Sequence, residues 1–287
     1  MRSPFSIRHF LIYSPKVLWI ISLGPNYGIL TGVNAWKGGN LKIDSEKCIG
    51  CGKCKAYCTM WGGVMEFARH PRNAAKIICV IDEDECVECS VCIRSGCCPA
   101  DALYQATLAW PRIVRKNFSD PLKIHPETRV PGRGTEEMKT NEVTGRYRRG
   151  MFGMAFELGR PGVGTRFREV EKVTRALAVL GLQFEENNPV TKLMIDREKG
   201  IINPEVRNEK VLSAIVEFMV PNHMLAEVLK VMDRVASEIH TVFSGDIISR
   251  VDTNGVVPYE KILLGLGRNL FVNGKSNVGL GKPLFCD

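Results

Sequence analysis

Residues 48–58 read Cys48-Ile49-Gly50-Cys51-Gly52-Lys53-Cys54-Lys55-Ala56-Tyr57-Cys58. Residues 86–99 read Cys86-Val87-Glu88-Cys89-Ser90-Val91-Cys92-Ile93-Arg94-Ser95-Gly96-Cys97-Cys98-Pro99. Each run places three cysteines two residues apart, with a fourth a few residues on. That spacing wraps a tight loop around one iron–sulfur cubane and directs three thiolates at three of its irons, so a fourth thiolate must come from elsewhere in the chain. Zinc ribbons use two paired C-x2-C knuckles per ion and have no use for a third cysteine at the same spacing, repeated twice. Ten of the 11 cysteines fall between Cys48 and Cys98, and the last is Cys286. Scattered cysteines would indicate a disulfide scaffold, whereas this cluster indicates one metal-binding module.

Residues 41–104 resemble a bacterial-type ferredoxin with two [4Fe–4S] clusters. The stretches Ile43-Asp44-Ser45-Glu46-Lys47 and Val80-Ile81-Asp82-Glu83-Asp84-Glu85 are similar to the short strands leading into each run of that family, and Pro99-Ala100-Asp101-Ala102-Leu103 to the segment that follows the second. In such ferredoxins the fourth cysteine of each run serves the other cluster. The resemblance therefore implies Cys48, Cys51, Cys54 and Cys98 for the first cluster, and Cys86, Cys89, Cys92 and Cys58 for the second. Two departures stand out: Thr59 rather than proline follows Cys58, and Cys97 lies between Cys92 and Cys98 as a rival ligand. Pro99 favours Cys98. Gly50, Gly52, Ala56 and Ser90 are small enough for backbone to approach the sulfurs. Cys79 lies in the apolar strand Lys76–Ile81 and reads as a buried structural thiol, and Cys286 has no assigned role.

The 287 residues allow about two domains. With 45% hydrophobic and 24% charged residues, the chain is neither disordered nor a multi-span membrane protein. The net charge of +8 is unevenly placed: residues 1–40 carry four bases and no acids, and residues 105–149 carry ten bases and five acids. Residues 41–104 and 150–287 are near neutral. A nucleic-acid binder would show a basic face on a recognisable fold, and none is present, so no nucleic-acid partner is expected. Residues 1–40 read as a surface-packed extension, or as a segment ahead of a true start near Leu41. Their apolar stretch Phe10–Leu23 is interrupted by Ser14, Pro15 and Lys16, too short a run for a membrane span and without a cleavage pattern for export. Reduced thiolates fit a cytoplasmic location.

Residues 105–149 contain Pro111, Pro121, Pro126 and Pro131 and show no helical or strand period, so they read as a stiff connector. Within it, Pro131-Gly132-Arg133-Gly134-Thr135 followed by Arg146, Arg148 and Arg149 fits either a docking element or a small-anion seat, and Thr135 is a possible helix cap.

Residues 150–287 read as two β-α-β units. Met151–Leu158 alternates as a strand. A helix capped by Thr165 carries Phe167, Val170, Val173, Leu177 and Leu180 on one face and ends at Gly181. A strand follows near Leu182–Phe184 or at Lys192–Asp196. Val211–Val220, a helix from Pro221-Asn222 with the stripe Leu225, Val228, Leu229, Met232, Val235 and Ile239, and a strand at Thr241–Val251 repeat the order. The expected class is α+β, with a two-cluster ferredoxin domain followed by a split βαβ, ferredoxin-like or ACT-like antiparallel sandwich. Gly162-Val163-Gly164 and Gly279-Leu280-Gly281-Lys282 read as turns, and His223 and His240 as structural or exposed residues rather than ligands. No nucleophile–base pair is visible, so no catalytic residue is expected.

As a whole the chain is similar to the iron–sulfur subunits of anaerobic reductases, of the kind that accompanies 6-hydroxynicotinate reductase. That likeness rests on Gly132-Arg-Gly-Thr-Glu-Glu-Met-Lys-Thr-Asn141 and Thr144-Gly145-Arg146. It implies an electron-transfer subunit whose partner is a redox protein or a catalytic oxidoreductase subunit; the C-terminal domain would either dock that catalytic partner or form a homo-oligomer through the free face of its sheet. The alternatives are a reductase with its own substrate or flavin site between connector and C-terminal domain, or a redox- or ligand-sensing regulator.

Overall fold

The computed structural model describes residues 5–12, 41–61, 63–135, 148–268 and 270. In chain order the elements are β1 (Phe5–Ile12), β2 (Leu41–Ile43), α1 (Lys53–Ala56), β3 (Met65–His70), β4 (Asn73–Ile81), α2 (Val91–Arg94), β5 (Leu103–Gln105) and α3 (Ile113–Ser119). They continue with β6 (Met151–Leu158), β7 (Thr165–Arg166), α4 (Phe167–Ala178), β8 (Gln183–Phe184), α5 (Pro189–Lys192), β9 (Met194–Asp196) and β10 (Ile201–Ile202). The last are β11 (Lys210–Val211), β12 (Ala214–Pro221), α6 (Leu225–Glu238), β13 (Phe243–Arg250) and α7 (Pro258–Gly265). The described residues are α+β, with one five-stranded sheet and four two-stranded ones among them, and their strand pairings are all antiparallel.

The large sheet has the order β1-β13-β6-β12-β8. Phe152, Met154, Phe156 and Leu158 share one face of β6, as the alternation predicts, and all four are fully buried. Against that face pack α4, through Phe167, Val170, Val173 and Leu177, and α6, through Leu225, Val228, Leu229, Met232 and Val235. Each such side chain contributes about 1.5–3 kcal/mol on burial. Aromatic rings knit the layers: Phe156 stacks on Phe218 and meets Phe243 edge-on.

Several local expectations change. Thr165 does not cap α4; it lies in β7, paired with β11, and Arg166 in extended conformation precedes the helix without a side-chain cap. The strand expected at Val211–Val220 is broken at Leu212-Ser213 into β11 and β12. Of the two candidates for the strand after α4, Gln183–Phe184 joins the large sheet, whereas Lys192 ends a helical turn and Met194–Asp196 pairs locally with β10. A 3₁₀ turn at Asn222–Met224 precedes α6. In the N-terminal extension, Phe5–Ile12 pairs along eight positions with β13 as an outer strand of the sheet.

The connector departs most from expectation. Residues 113–119 form α3, with Val114 and Phe118 buried in the C-terminal core. Phe118 meets Phe167 edge-on at 5.1 Å. Seven residues give barely two turns, too few for a period to stand out between prolines, and tertiary packing stabilises the helix.

The second face of the large sheet is not free. Ala155, Ile215 and Ile248 on it are buried, and the connector meets this face at Arg133 and Thr135. Arg133 pairs with Glu157 and approaches Ser213 Oγ at 3.4 Å, while Thr135 Oγ1 donates to Glu217 Oε2 at 2.9 Å. That contact covers part of the face expected to mediate oligomerisation. It also resolves the Pro131–Thr135 turn as a docking element, with the Arg133 guanidinium committed to protein carboxylate. Residues 136–147 and 271–287 lie outside the described residues, and with them Arg146, Cys286, the Gly279–Lys282 turn and any helix beyond Thr135. Among the described residues no helix is long and apolar enough to cross a membrane.

Candidate metal centre

The two cysteine runs are built alike, at an offset of 38 residues. Ile43 ends β2 and Ile81 ends β4. Next, Asp44 Oδ1 accepts from the Glu46 and Lys47 N–H groups, and Asp82 Oδ1 from those of Asp84 and Glu85. The Cys48 N–H donates to the Asp44 carbonyl at 2.9 Å and the Cys86 N–H to the Asp82 carbonyl at 3.0 Å. The loops then adopt left-handed backbone at matching places: Gly50 (φ 68°) and Gly52 (φ 71°) in the first, Glu88 (φ 58°) and Ser90 (φ 58°) in the second. Each ends in one helical turn, α1 or α2, that carries the third cysteine.

The strands tie the repeats together. The strand leaving the first run, β3, pairs with β4, which enters the second. The strand leaving the second run, β5, pairs with β2, which enters the first. Ile43 faces Leu103 in one pairing, and Ile81 faces Met65 in the other.

Left-handed backbone is required in both loops but achieved differently. A Cβ at Gly50 would lie 2.4 Å from the Ile77 carbonyl oxygen, so only glycine fits. Its counterpart Glu88 carries a side chain in a conformation that costs about 1–2 kcal/mol. That carboxylate is 0% exposed and accepts from the Leu41 N–H (3.1 Å), Gln105 Nε2 (3.0 Å) and Arg112 Nη2 (2.7 Å). These charge-assisted bonds offset the strain and fasten the second loop to β2, β5 and the connector.

Backbone donors point at the sulfurs. Cys48 Sγ receives the Gly50 N–H at 3.5 Å and the Cys79 N–H at 3.3 Å, and Cys98 Sγ receives the Ala102 N–H at 3.2 Å. Cys97 turns elsewhere, its thiol on the Cys92 carbonyl at 3.5 Å. Thr59 Oγ1 lies 3.3 Å from Cys89 Sγ, so the chain just after Cys58 reaches the second run. Cys79 is buried in β4, with its sulfur 3.6 Å from Cys54 Sγ. Contact with Cys79 holds the Cys54 thiol below its ordinary range. Burial pushes up the thiols of Cys58 and Cys86, and that of Cys92 to about 12. A nearby cation is what would draw such buried thiols into the thiolate form.

Among the described residues no three His, Cys, Asp or Glu side chains converge on a single-ion point. Eight of the cysteines lie in the two matched loops and just after them, four of them buried, and backbone N–H groups reach the sulfurs of Cys48 and Cys98.

The two loops differ in exposure. Around the first, Lys47, Ile49, Cys51, Lys53, Lys55 and Tyr57 are exposed. The second is shielded by α3 and the residue before it: Arg112, Arg115 and Lys116 face it. Arg115 donates to the carbonyls of Glu83 (3.2 Å), Asp84 (2.7 Å) and Cys86 (2.8 Å) and pairs with Glu209 of the C-terminal domain. Lys116 Nζ reaches Ser90 Oγ at 3.2 Å, and Arg94 Nη2 the Cys89 carbonyl at 2.8 Å. Glu85 pairs with Lys210 and Arg166 across the same interface; burial pushes its carboxyl up, but the two cations outweigh it and hold it below the usual range. The Gly162–Gly164 turn docks there too, with Gly162 against the Trp61 ring and the Trp61 N–H on the Gly162 carbonyl at 2.8 Å.

Glu88, Arg112, Arg115 and Lys116 were not singled out by sequence. The one available signal was a glutamate standing where the first run has Gly50. Comparison with protein-family models, with curated proteins and with solved structures found no match.

Proposed function

We propose that residues 41–104 form a two-cluster ferredoxin module and that the chain is an electron-transfer subunit of an oxidoreductase. The observation that carries this reading is the repeated loop, with left-handed backbone at matching positions in two cysteine runs joined crosswise by two hairpins. Cys48, Cys51, Cys54 and Cys98 would hold one [4Fe–4S] cluster, and Cys86, Cys89, Cys92 and Cys58 the other. Bound there, the clusters would supply one-electron redox chemistry, at potentials the protein sets through N–H···S bonds, burial and local charge.

The chain's own residues divide the work. Gly50, Gly52, Glu88 and Ser90 hold the loops open around a centre. Arg94, Arg112, Arg115 and Lys116 set positive charge against the second loop and favour added negative charge there. The first loop faces outward, and Ile49 and Tyr57 beside three exposed lysines give a face suited to an acidic redox partner or catalytic subunit. We further propose that 150–287 is a split βαβ sandwich, on the support of the order β13-β6-β12-β8 with α4 and α6 on one face. Its role is to fix the second loop through Arg166, Glu209 and Lys210.

The test is anoxic purification followed by dithionite reduction. The proposal requires reversible bleaching of the visible absorbance and paramagnetic signals from two interacting centres. A chain with no dithionite-reducible chromophore after anoxic reconstitution would overturn it.

A further inference from the structure

By sequence β4 is the approach to the second cysteine run, yet it packs along the first. Lys76 Nζ donates to the carbonyls of Ser45 (2.9 Å) and Glu46 (2.7 Å), and the Ile77 carbonyl closes over Gly50. Two positions on, Cys79 is 2% exposed and meets two sulfurs of the first run. Its N–H donates to Cys48 Sγ at 3.3 Å, and its own sulfur lies 3.6 Å from Cys54 Sγ. The repeat supplies a comparison. Cys79 stands seven residues before Cys86, and Leu41 stands seven before Cys48, so the two hold matching places in the two halves. Both are buried. The Leu41 N–H goes to the Glu88 carboxylate at 3.1 Å, and its side chain has no hydrogen to donate. Leucine therefore meets the packing need at this place, and what cysteine adds is an S–H.

A cysteine that ligates iron does so as the thiolate, with no proton left to give. With Cys54 in that state, the bond between the two sulfurs can run only from the Cys79 S–H to Cys54 Sγ. We propose that Cys79 sets the potential of the first centre, its N–H and S–H both directed at ligand sulfurs so that this centre takes up an electron more readily than it would beside an apolar residue. The sign follows from electrostatics. An added electron makes the ligand sulfurs more negative, and in low-dielectric surroundings a fixed donor stabilises that form more than the oxidised one. The inference rests on the two-cluster reading and concerns a residue outside the eight assigned ligands.

The test is a potentiometric titration of the full chain, reconstituted under anoxia and followed by electron paramagnetic resonance, on the parent, Cys79→Val and Cys79→Ser. Both variants keep the backbone N–H; valine fills the space without a donor, and serine restores one. Should valine crowd the loop and lower iron content, Cys79→Ala removes the same donor. In Cys79→Val one of the two midpoints should fall, the ratio of reduced to oxidised centre at fixed potential dropping about threefold or more, or about 28 mV for one electron. The other midpoint should stay in place, and Cys79→Ser should keep both near those of the parent. Unchanged midpoints in a fully loaded Cys79→Val or Cys79→Ala, equal falls at both centres, or equal effects of valine and serine would overturn the inference and leave the two-cluster reading standing. A parent chain without reducible clusters would overturn both.

Discussion

Replacing Arg115 by methionine should destabilise the fold more than any other single change to the connector. The side chain is 2% exposed and does four things at once: it donates to three carbonyls at the head of the second cysteine loop and pairs with Glu209. Methionine fills much the same volume, so cavity formation is a minor part of the cost. The three carbonyls lose a charged donor, at about 1 kcal/mol each where water re-enters. Glu209, its side chain 13% exposed, is left without its cation, and breaking such a pair costs about 3–5 kcal/mol. These contributions overlap, and a total of about 3–5 kcal/mol is expected, a large part of the ~5–15 kcal/mol of a typical domain. Equilibrium urea unfolding followed by circular dichroism measures it. Glu209→Gln alone and combined with Arg115→Met closes a double-mutant cycle, in which the pair should couple by about 1.5 kcal/mol or more. A loss below about 1 kcal/mol for Arg115→Met, or a coupling near zero, would refute the role given to this arginine.

Three further outcomes follow from the geometry. Gly50→Ala should cost about 2 kcal/mol or more and lower metal content, because its Cβ would meet the Ile77 carbonyl; Gly96→Ala, also left-handed but facing open space, should cost about 1 kcal/mol and leave metal content intact, and metal analysis with unfolding compares the two. Cys98→Ser should abolish part of the iron content while Cys97→Ser leaves it unchanged, since Cys97 is turned onto the Cys92 carbonyl; the opposite pattern would reverse the assignment. Burial lowers the His125 pKa to about 4 from an ordinary 6.5, so the unfolded chain binds the extra proton first as pH falls. Stability is therefore full above pH ~6.5 and declines toward pH ~4, by about 2 kcal/mol after allowance for solvent screening, and a pH series of unfolding midpoints should lose that slope in His125→Gln.

The parts of the molecule legible in sequence are those in which one local period or spacing dictates the structure. The alternation of Phe152 to Leu158 and the stripe from Leu225 to Val235 each name their buried face, because a strand or helix needs only its own residues to declare it. The cysteine spacing likewise singles out two matched loops. What sequence did not show depends on contacts between distant residues. Arg115 and Glu209 are 94 positions apart, and a charged residue at the centre of a short helix looks like an exposed one until its partners are known. The same holds for α3 itself, whose place is set by Val114 and Phe118 in the C-terminal core. Thr165 illustrates the converse: a good capping residue was claimed instead by a two-residue strand pairing with Lys210-Val211.

Iron and acid-labile sulfide, counted per chain after anoxic purification, test the central claim most directly. Two [4Fe–4S] clusters predict about eight of each. Stoichiometric zinc with no iron or sulfide would contradict it.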